Sequence, residues 1–129
     1  MKIVIDAMGG DNAPQCVVDG AVEALGEYEN IELILVGKSD VLEIMLGEKT
    51  YDKERLSIVH ASEVIEMEEA TSAIKNKPDS SLVVALNLVK EGKADVILSA
   101  GSTGAVISGA TLILRRIKGI KRPALAPVL

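Results

Sequence analysis

The 129 residues include no phenylalanine, no tryptophan and only two tyrosines. A core must therefore be built from Val, Ile, Leu, Ala and Met, and the aromatic platforms on which single-stranded nucleic acid stacks are essentially absent. The one cysteine, Cys16, excludes an intramolecular disulfide and a thiolate-rich zinc site, and suits a reducing compartment. The one histidine, His60, has no Ser/His/Asp spacing around it and no cluster of metal ligands. The opening Lys2-Ile3-Val4-Ile5-Asp6 is too short an apolar run for a signal peptide. What remains is a chain 48% apolar and 26% charged with a net charge of −5, which suits one globular domain and rules out disorder as a description of the whole.

Carboxylates are missing from one stretch. All 19 acidic residues lie at or before Asp95, whereas Arg115, Arg116, Lys118, Lys121 and Arg122 follow with no acidic neighbour. Such a cluster is either the solvated end of a helix, where cations complement the macrodipole, or a docking patch for an acidic partner. The segment from Val96 to Leu114 also lacks charge and precedes these cations, as a membrane span would. The small residues Ser99-Ala100-Gly101-Ser102-Thr103-Gly104 interrupt it, so a strand, a turn and a buried helix account for it better.

The order of elements is strand then helix, repeated. Lys2–Asp6 is a nearly continuous apolar run, as a parallel strand buried on both faces requires. Ala7–Asn12 is a glycine-rich turn, and Pro14 suits the first turn of a helix lined by Val17, Val18, Ala21, Val22, Leu25 and Tyr28. Further strands are expected at Ile31–Val36, Leu56–Val59 and Asp95–Leu98. Ser39 is expected to cap a helix carrying Val41, Leu42, Met45 and Leu46. Glu63–Pro78 is polar, with a weak helical pattern at Glu69–Lys75. Asp79-Ser80-Ser81 offers caps for a helix through Val89 that ends near Gly92. Thr103–Ile117 is expected to be a helix and Pro123–Leu129 the start of a fifth strand; stopping in mid-apolar run, it suggests a truncated chain or a proteolytic remnant. The alternation predicts a parallel or mixed sheet with helices on both faces.

Ligands of open α/β sheets bind at the carboxyl ends of strands. Two turns there can do chemistry. In Ser99–Gly104, glycines let the backbone approach an anion, successive amides point at it, and Ser99, Ser102 and Thr103 add hydroxyl donors. The plainer alternative is tight strand–helix packing with Thr103 as cap. In Asp6-Ala7-Met8-Gly9-Gly10-Asp11, two carboxylates flank a glycine pair and could orient a hydroxyl, bind a metal or cap a helix. Capping is the commoner role for Asp11 or Asn12, and Asp6, at the end of a buried strand, is the better functional carboxylate. Gly37-Lys38-Ser39 resembles the end of a Walker A loop, but Glu32 holds the earlier glycine position, and no G-x-G-x-x-G occurs, which argues against NAD and ATP. His60 could be a general base, although a lone histidine is usually structural. Cys16, in a first helical turn without a histidine partner, is expected to be a small buried hydrophobe.

These turns resemble a known family. Asp6–Asp11 followed by Ala13-Pro14 is similar to the opening signature of the bacterial phosphate acyltransferases, the PlsX family of fatty acid/phospholipid synthesis proteins. The similarity continues through His60-Ala61, Glu63-Val64-Ile65, Asp79-Ser80-Ser81 and Val89–Asp95, then Ser99-Ala100-Gly101, Thr103-Gly104-Ala105 and Gly119–Leu125. The family's usual loop has Asn where Ser102 stands, and a proline near Ala70. The resemblance implies a three-layer α/β/α sandwich like that of isocitrate and isopropylmalate dehydrogenases, with residues 1–129 as the amino-terminal portion of a single enzyme whose carboxyl-terminal half is absent. It implies acyl transfer from acyl carrier protein to inorganic phosphate, without cofactor or metal, by a cytoplasmic homodimer loosely held at the inner face of the membrane. Asp6, Ser102 and Thr103 are then the expected catalytic residues. Phosphate is expected near Gly9, Gly10, Asp11, Ser99, Gly101, Ser102, Thr103 and Gly104, and the carrier protein at Arg115, Arg116, Lys118 and Lys121. Two rivals stand beside this: phosphotransacetylase-like transfer from acyl-CoA, and a non-catalytic folded fragment or oligomerisation module.

Overall fold

The computed structural model describes residues 1–69, 71–122 and 126, and within them four strands form one parallel sheet. In chain order these are β1 (Lys2–Asp6), β2 (Glu32–Gly37), β3 (Leu56–His60) and β4 (Val96–Leu98). Their order across the sheet is β3-β2-β1-β4. Ile3 stands opposite Leu33 and Val96, and Ile5 opposite Leu35 and Leu98.

The helices follow from that order. A parallel crossover is right-handed, so the side on which a helix packs depends on which way the chain steps across the sheet. From β1 to β2 to β3 the chain steps one way, and α1 (Gln15–Glu27) and α2 (Ser39–Gly47) share one face. From β3 it returns past β1 to β4, and α4 (Ser81–Lys90) covers the other face. The short α3 (Ala73–Asn76) and α5 (Thr103–Gly109) pack beside α4 on that second face. The result is the helix–sheet–helix layering expected from the sequence.

The α1 face buries Val18, Ala21 and Leu25, at helical spacing, against Leu33, Leu35, Leu42, Leu46 and Leu56. The α4 face buries Val4, Val36, Ala61, Ala85 and Ala94. Along β1, Val4 points to the α4 side while Ile3 and Ile5 point to the α1 side, the period-two alternation of a strand. Removing a fully buried side chain such as Leu35 or Leu42 would cost about 2–5 kcal/mol.

Several local expectations are corrected. Ser39 is the first residue of α2, not its cap; Lys38 holds that position, and the Ser39 hydroxyl turns to His60 Nδ1 at 3.0 Å. Neither Asp11 nor Asn12 caps α1, which starts after Pro14 with no side-chain cap bond. The helix expected to reach Ile117 gives way to a π-helical turn at Ala110–Leu114 and stops at Arg115, whose φ is 67°. The Thr111 hydroxyl donates to the Ile107 carbonyl at 2.7 Å, a back-bond that competes with the regular ladder. Cys16 is exposed, because it lies on a flank of α1 that none of the described residues covers. The expected fifth strand at Pro123–Leu129 lies, apart from Ala126, outside the described residues, as does Ala70.

The polar stretch after β3 is held by side chains. Ser80 caps α4, its hydroxyl accepting from Val83 N–H at 3.3 Å. Asp79 faces the other way and accepts from the amide of Ser62 at 3.0 Å and from its hydroxyl. At the other end Gly92, with φ +77°, takes the left-handed position that lets α4 stop.

Three carboxyls gain donors in this fold. The Ser62 hydroxyl and amide lower the pKa of Asp79, the Glu66 amide and then Lys77 lower that of Glu69, and Lys49 and then Gln15 lower that of Asp19. A carboxyl depressed on folding adds stability that is complete above its unfolded pKa and is lost as pH falls through the folded one. Urea midpoints should therefore fall as pH drops below the ordinary values of 3.8 and 4.5. Asp79→Asn should lower the midpoint at neutral pH and shrink that acid loss. An acid limb identical in the variant and the parent would contradict the role given to Asp79.

Candidate functional site

The chain reverses its direction across the sheet between β1 and β4, so the turns leaving these two strands diverge to opposite faces. That is where an open α/β sheet offers a crevice. Asp6 ends β1 and Ser99 follows β4, so both lie at this crossing point.

Asp6 is 3% exposed. A carboxylate so buried needs donors on both oxygens, and it has them. Oδ1 accepts from the Ser81 hydroxyl at 2.5 Å and from Met8 N–H at 3.2 Å. Oδ2 accepts from the Ser99 hydroxyl at 3.0 Å, and Ser99 Oγ in turn accepts from Gly101 N–H at 3.2 Å. One side chain thus ties together β1, the first turn of α4 and the turn after β4.

The glycines serve this junction. A Cβ on Gly9 would stand 2.6 Å from Asp6 Oδ2 and 3.0 Å from Gly101 N. Gly10, with φ +109°, brings its Cα side within reach of Ala100, where a Cβ would meet the carbonyl oxygen at 3.1 Å. The two turns expected to line a cleft are therefore packed directly on each other, and Gly9 and Gly10 are required for that approach. Asp11 is exposed and lines, with Gly10, Lys38 and Glu66, a polar cleft of about 620 Å³.

Beyond the junction the second turn opens. Ser102, not Thr103, caps α5, its hydroxyl accepting from Ala105 N–H at 3.4 Å. With the Gly101 amide given to Ser99, the amides of Ser102, Thr103 and Gly104 donate to nothing among the described residues. Thr103 and Gly104 are exposed. Unpartnered amides at a helix start are the arrangement that receives an oxyanion.

The other expected residues stand apart. His60 ends β3, two strands from Asp6, and its Nδ1 accepts from Ser39 N–H at 3.2 Å. The cations Arg115, Arg116, Lys118, Lys121 and Arg122 are exposed beyond the π-helical turn and form no ion pair among the described residues. No group of three or more metal-binding side chains occurs among the described residues. None of the helices described is long and apolar enough to cross a membrane.

Ser81 is the site residue that sequence reasoning passed over. Its signal was the doubled hydroxyl in Ser80-Ser81: a helix cap needs one, and the second is 1% exposed and turned to the sheet.

The model of the family described as fatty acid synthesis protein matches residues 1–129. The chain belongs to the fatty acid synthesis protein family. It is 55% identical over 130 residues to a protein of Clostridium beijerinckii named phosphate acyltransferase, covering 100% of this chain and 39% of that protein. It is 56% identical over 126 residues to one of Clostridioides difficile with the same name, covering 97% of this chain and 37% of the relative. A phosphate acyltransferase of Caldanaerobacter subterraneus is 52% identical over 130 residues, again 100% of this chain and 38% of the relative. The chain thus spans well under half the length of the curated relatives it matches. Membership in the fatty acid synthesis protein family agrees with the resemblance drawn from the signature blocks.

For this family member the junction predicts two stability effects. Ser81→Ala, which deprives a buried carboxylate of a donor, should cost about 1.5–3 kcal/mol. Gly9→Ala should cost about 1–3 kcal/mol through overpacking. Urea unfolding measures both, and values within ~0.5 kcal/mol of the parent, typical of substitutions away from such features, would contradict the junction's role.

Proposed function

We propose that the chain is the amino-terminal portion of an acyltransferase that moves a fatty acyl group from acyl carrier protein to inorganic phosphate, giving acyl phosphate for phospholipid synthesis. The observation that carries the reading is that the amides of Ser102, Thr103 and Gly104, beside the Asp6 junction, have no partner among the described residues. The relatives named phosphate acyltransferase supply the reaction class.

In this reading the phosphate sits on the three amides, with the Thr103 hydroxyl as a further donor. A phosphate oxygen attacks the thioester carbonyl, the new C–O bond forms, the C–S bond breaks, and the carrier's thiolate leaves and takes up a proton. No protein nucleophile is required, because phosphate is itself the nucleophile. The chain contributes positioning, which can be worth several kcal/mol. The Ser102 hydroxyl, which accepts from the Ala105 amide and keeps its own proton to donate, is the donor left for the developing oxyanion, worth about 3–4 kcal/mol in comparable acyl transfers. Ser102 and Thr103 touch the reacting groups. Asp6, with both oxygens engaged by the protein, works as a positioning residue through Ser99 and Gly101. Gly9 and Gly10 support the turn from below, and Asp11 lies on the outer rim.

Acyl carrier protein is acidic, and the exposed cations Arg115, Arg116, Lys118 and Lys121 form a docking patch for it. Association should slow as salt is added. The whole enzyme is a cytoplasmic homodimer associated with the inner face of the membrane, and residues 1–129 alone form no acyl phosphate. Comparing acyl carrier protein and coenzyme A thioesters in one assay separates the carrier-dependent reaction from a phosphotransacetylase-like one.

In the full-length enzyme, Thr103→Ala should raise the phosphate KM about tenfold, the effect of losing one hydrogen bond to a charged ligand. Its unfolding midpoint should be unchanged. Phosphate kinetics equal to the parent would remove the assignment. Separately, Arg115→Glu/Arg116→Glu should raise the KM for the carrier protein thioester and flatten its salt dependence, and an unaltered salt response would reject the patch.

A further inference from the structure

Parallel sheets are covered on both faces because their crossovers lay helices over each. Here β1, β2 and β3 obey this rule and β4 does not. Ile97 faces α4 and α5 and is packed by them. Val96 and Leu98, in register with Ile3 and Ile5, face the α1 side and are 40% and 53% exposed. Between Leu98 and α1 lies an open groove of about 610 Å³, lined mostly by apolar side chains, with Asp6, Ser99 and Tyr28 also on its walls. The α1 wall presents Cys16, Gly20 and Ala24, four residues apart on one helical row, and a Cβ on Gly20 would meet nothing within 4 Å.

The handedness that places the other helices explains why the groove is open. Going from β3 to β4 and onward, the chain steps in the direction that puts its helices on the α4 face, and α5 is there. None of the described elements can therefore cover β4 from the α1 side. The curated relatives are more than twice as long as this chain, with 39% and 37% of their lengths matched, so the family's polypeptide has ample further sequence. We propose that the groove between α1 and β4 is covered by a segment of the same polypeptide lying outside residues 1–129. A helix suits the space, since small residues at i, i+4 and i+8 let a second helix axis approach closely along that row. The proposal does not depend on the acyl-transfer reading, and it makes α1 a joint between this region and the rest of the protein.

The test uses the protein at its relatives' full length. Cys16 is the reporter, because its thiol lines the groove. Maleimide labelling is followed by mass spectrometry of the peptide bearing Cys16, in native buffer and in urea, with and without carrier protein thioester, across a dilution series. Labelling in native buffer should be at least about a hundredfold slower than in urea, as for a group that reacts only through opening. The protection should be independent of protein concentration and of acyl donor. In parallel, photo-leucine incorporated in a mixture of ¹⁵N and unlabelled chains should cross-link the Leu98 peptide to a peptide outside residues 1–129 carrying the same isotope. Native labelling at the unfolded rate would overturn the proposal. So would protection lost on dilution with mixed-isotope cross-links, which would mean a second copy. Protection that needs the acyl donor would also overturn it, since the occupant would then be the acyl chain.

Discussion

The structure depends on one buried carboxylate. Asp6 ends the inner strand β1, where the chain's course across the parallel sheet reverses, and its two oxygens bind one hydroxyl from the α4 side and one from the turn after β4. These contacts join residues 75 and 93 positions apart in sequence, so the loops that the topology drives to opposite faces are held at one place. The glycine pair follows from this constraint: once the two turns are drawn together, a Cβ at Gly9 has nowhere to go. The openness of the Ser102–Gly104 amides follows too. Ser99, held by Asp6, takes up the Gly101 amide, and the next three amides have no partner among the described residues.

Much of the fold was legible because parallel strands buried on both faces announce themselves as short apolar runs, and β1 to β4 each begin within a residue of expectation. The helical face of α1 was equally clear from Val18, Ala21 and Leu25. The misses share a cause. Whether Cys16 is buried depends on whether another element covers its flank of α1, and sequence periodicity does not say so. The end of α5 was missed because the π-helical turn at Ala110–Leu114 contains no glycine or proline to mark it. Ser39 looked like a cap, but its hydroxyl is used across strands by His60, a partner 21 residues away.

The candidate site was legible in its parts and not in its assembly. Asp6, Ser99 and Gly101 could be named from motif chemistry, but not the hydrogen bonds that engage both oxygens of Asp6 and link it through Ser99 to the Gly101 amide. The glycines divide in the same way: Gly9 and Gly10 serve the contact between turns, while Gly104 is at the open end. Sequence composition cannot distinguish a glycine needed for packing from one needed for a ligand. Similarity to relatives named phosphate acyltransferase supports the proposed reaction class, and the junction adds a physical reason for two signature blocks to stand where they do.

The most direct measurement of the central claim is a phosphate titration of the full-length, ¹⁵N-labelled protein, read at its backbone amides. The account predicts saturable shifts at Ser102, Thr103 and Gly104 with one common dissociation constant, while the Gly101 amide, bonded to Ser99, moves little. If phosphate saturates without disturbing those three amides, or if the Gly101 amide responds as strongly as they do, the turn is not the anion seat and the role assigned to Asp6 falls with it.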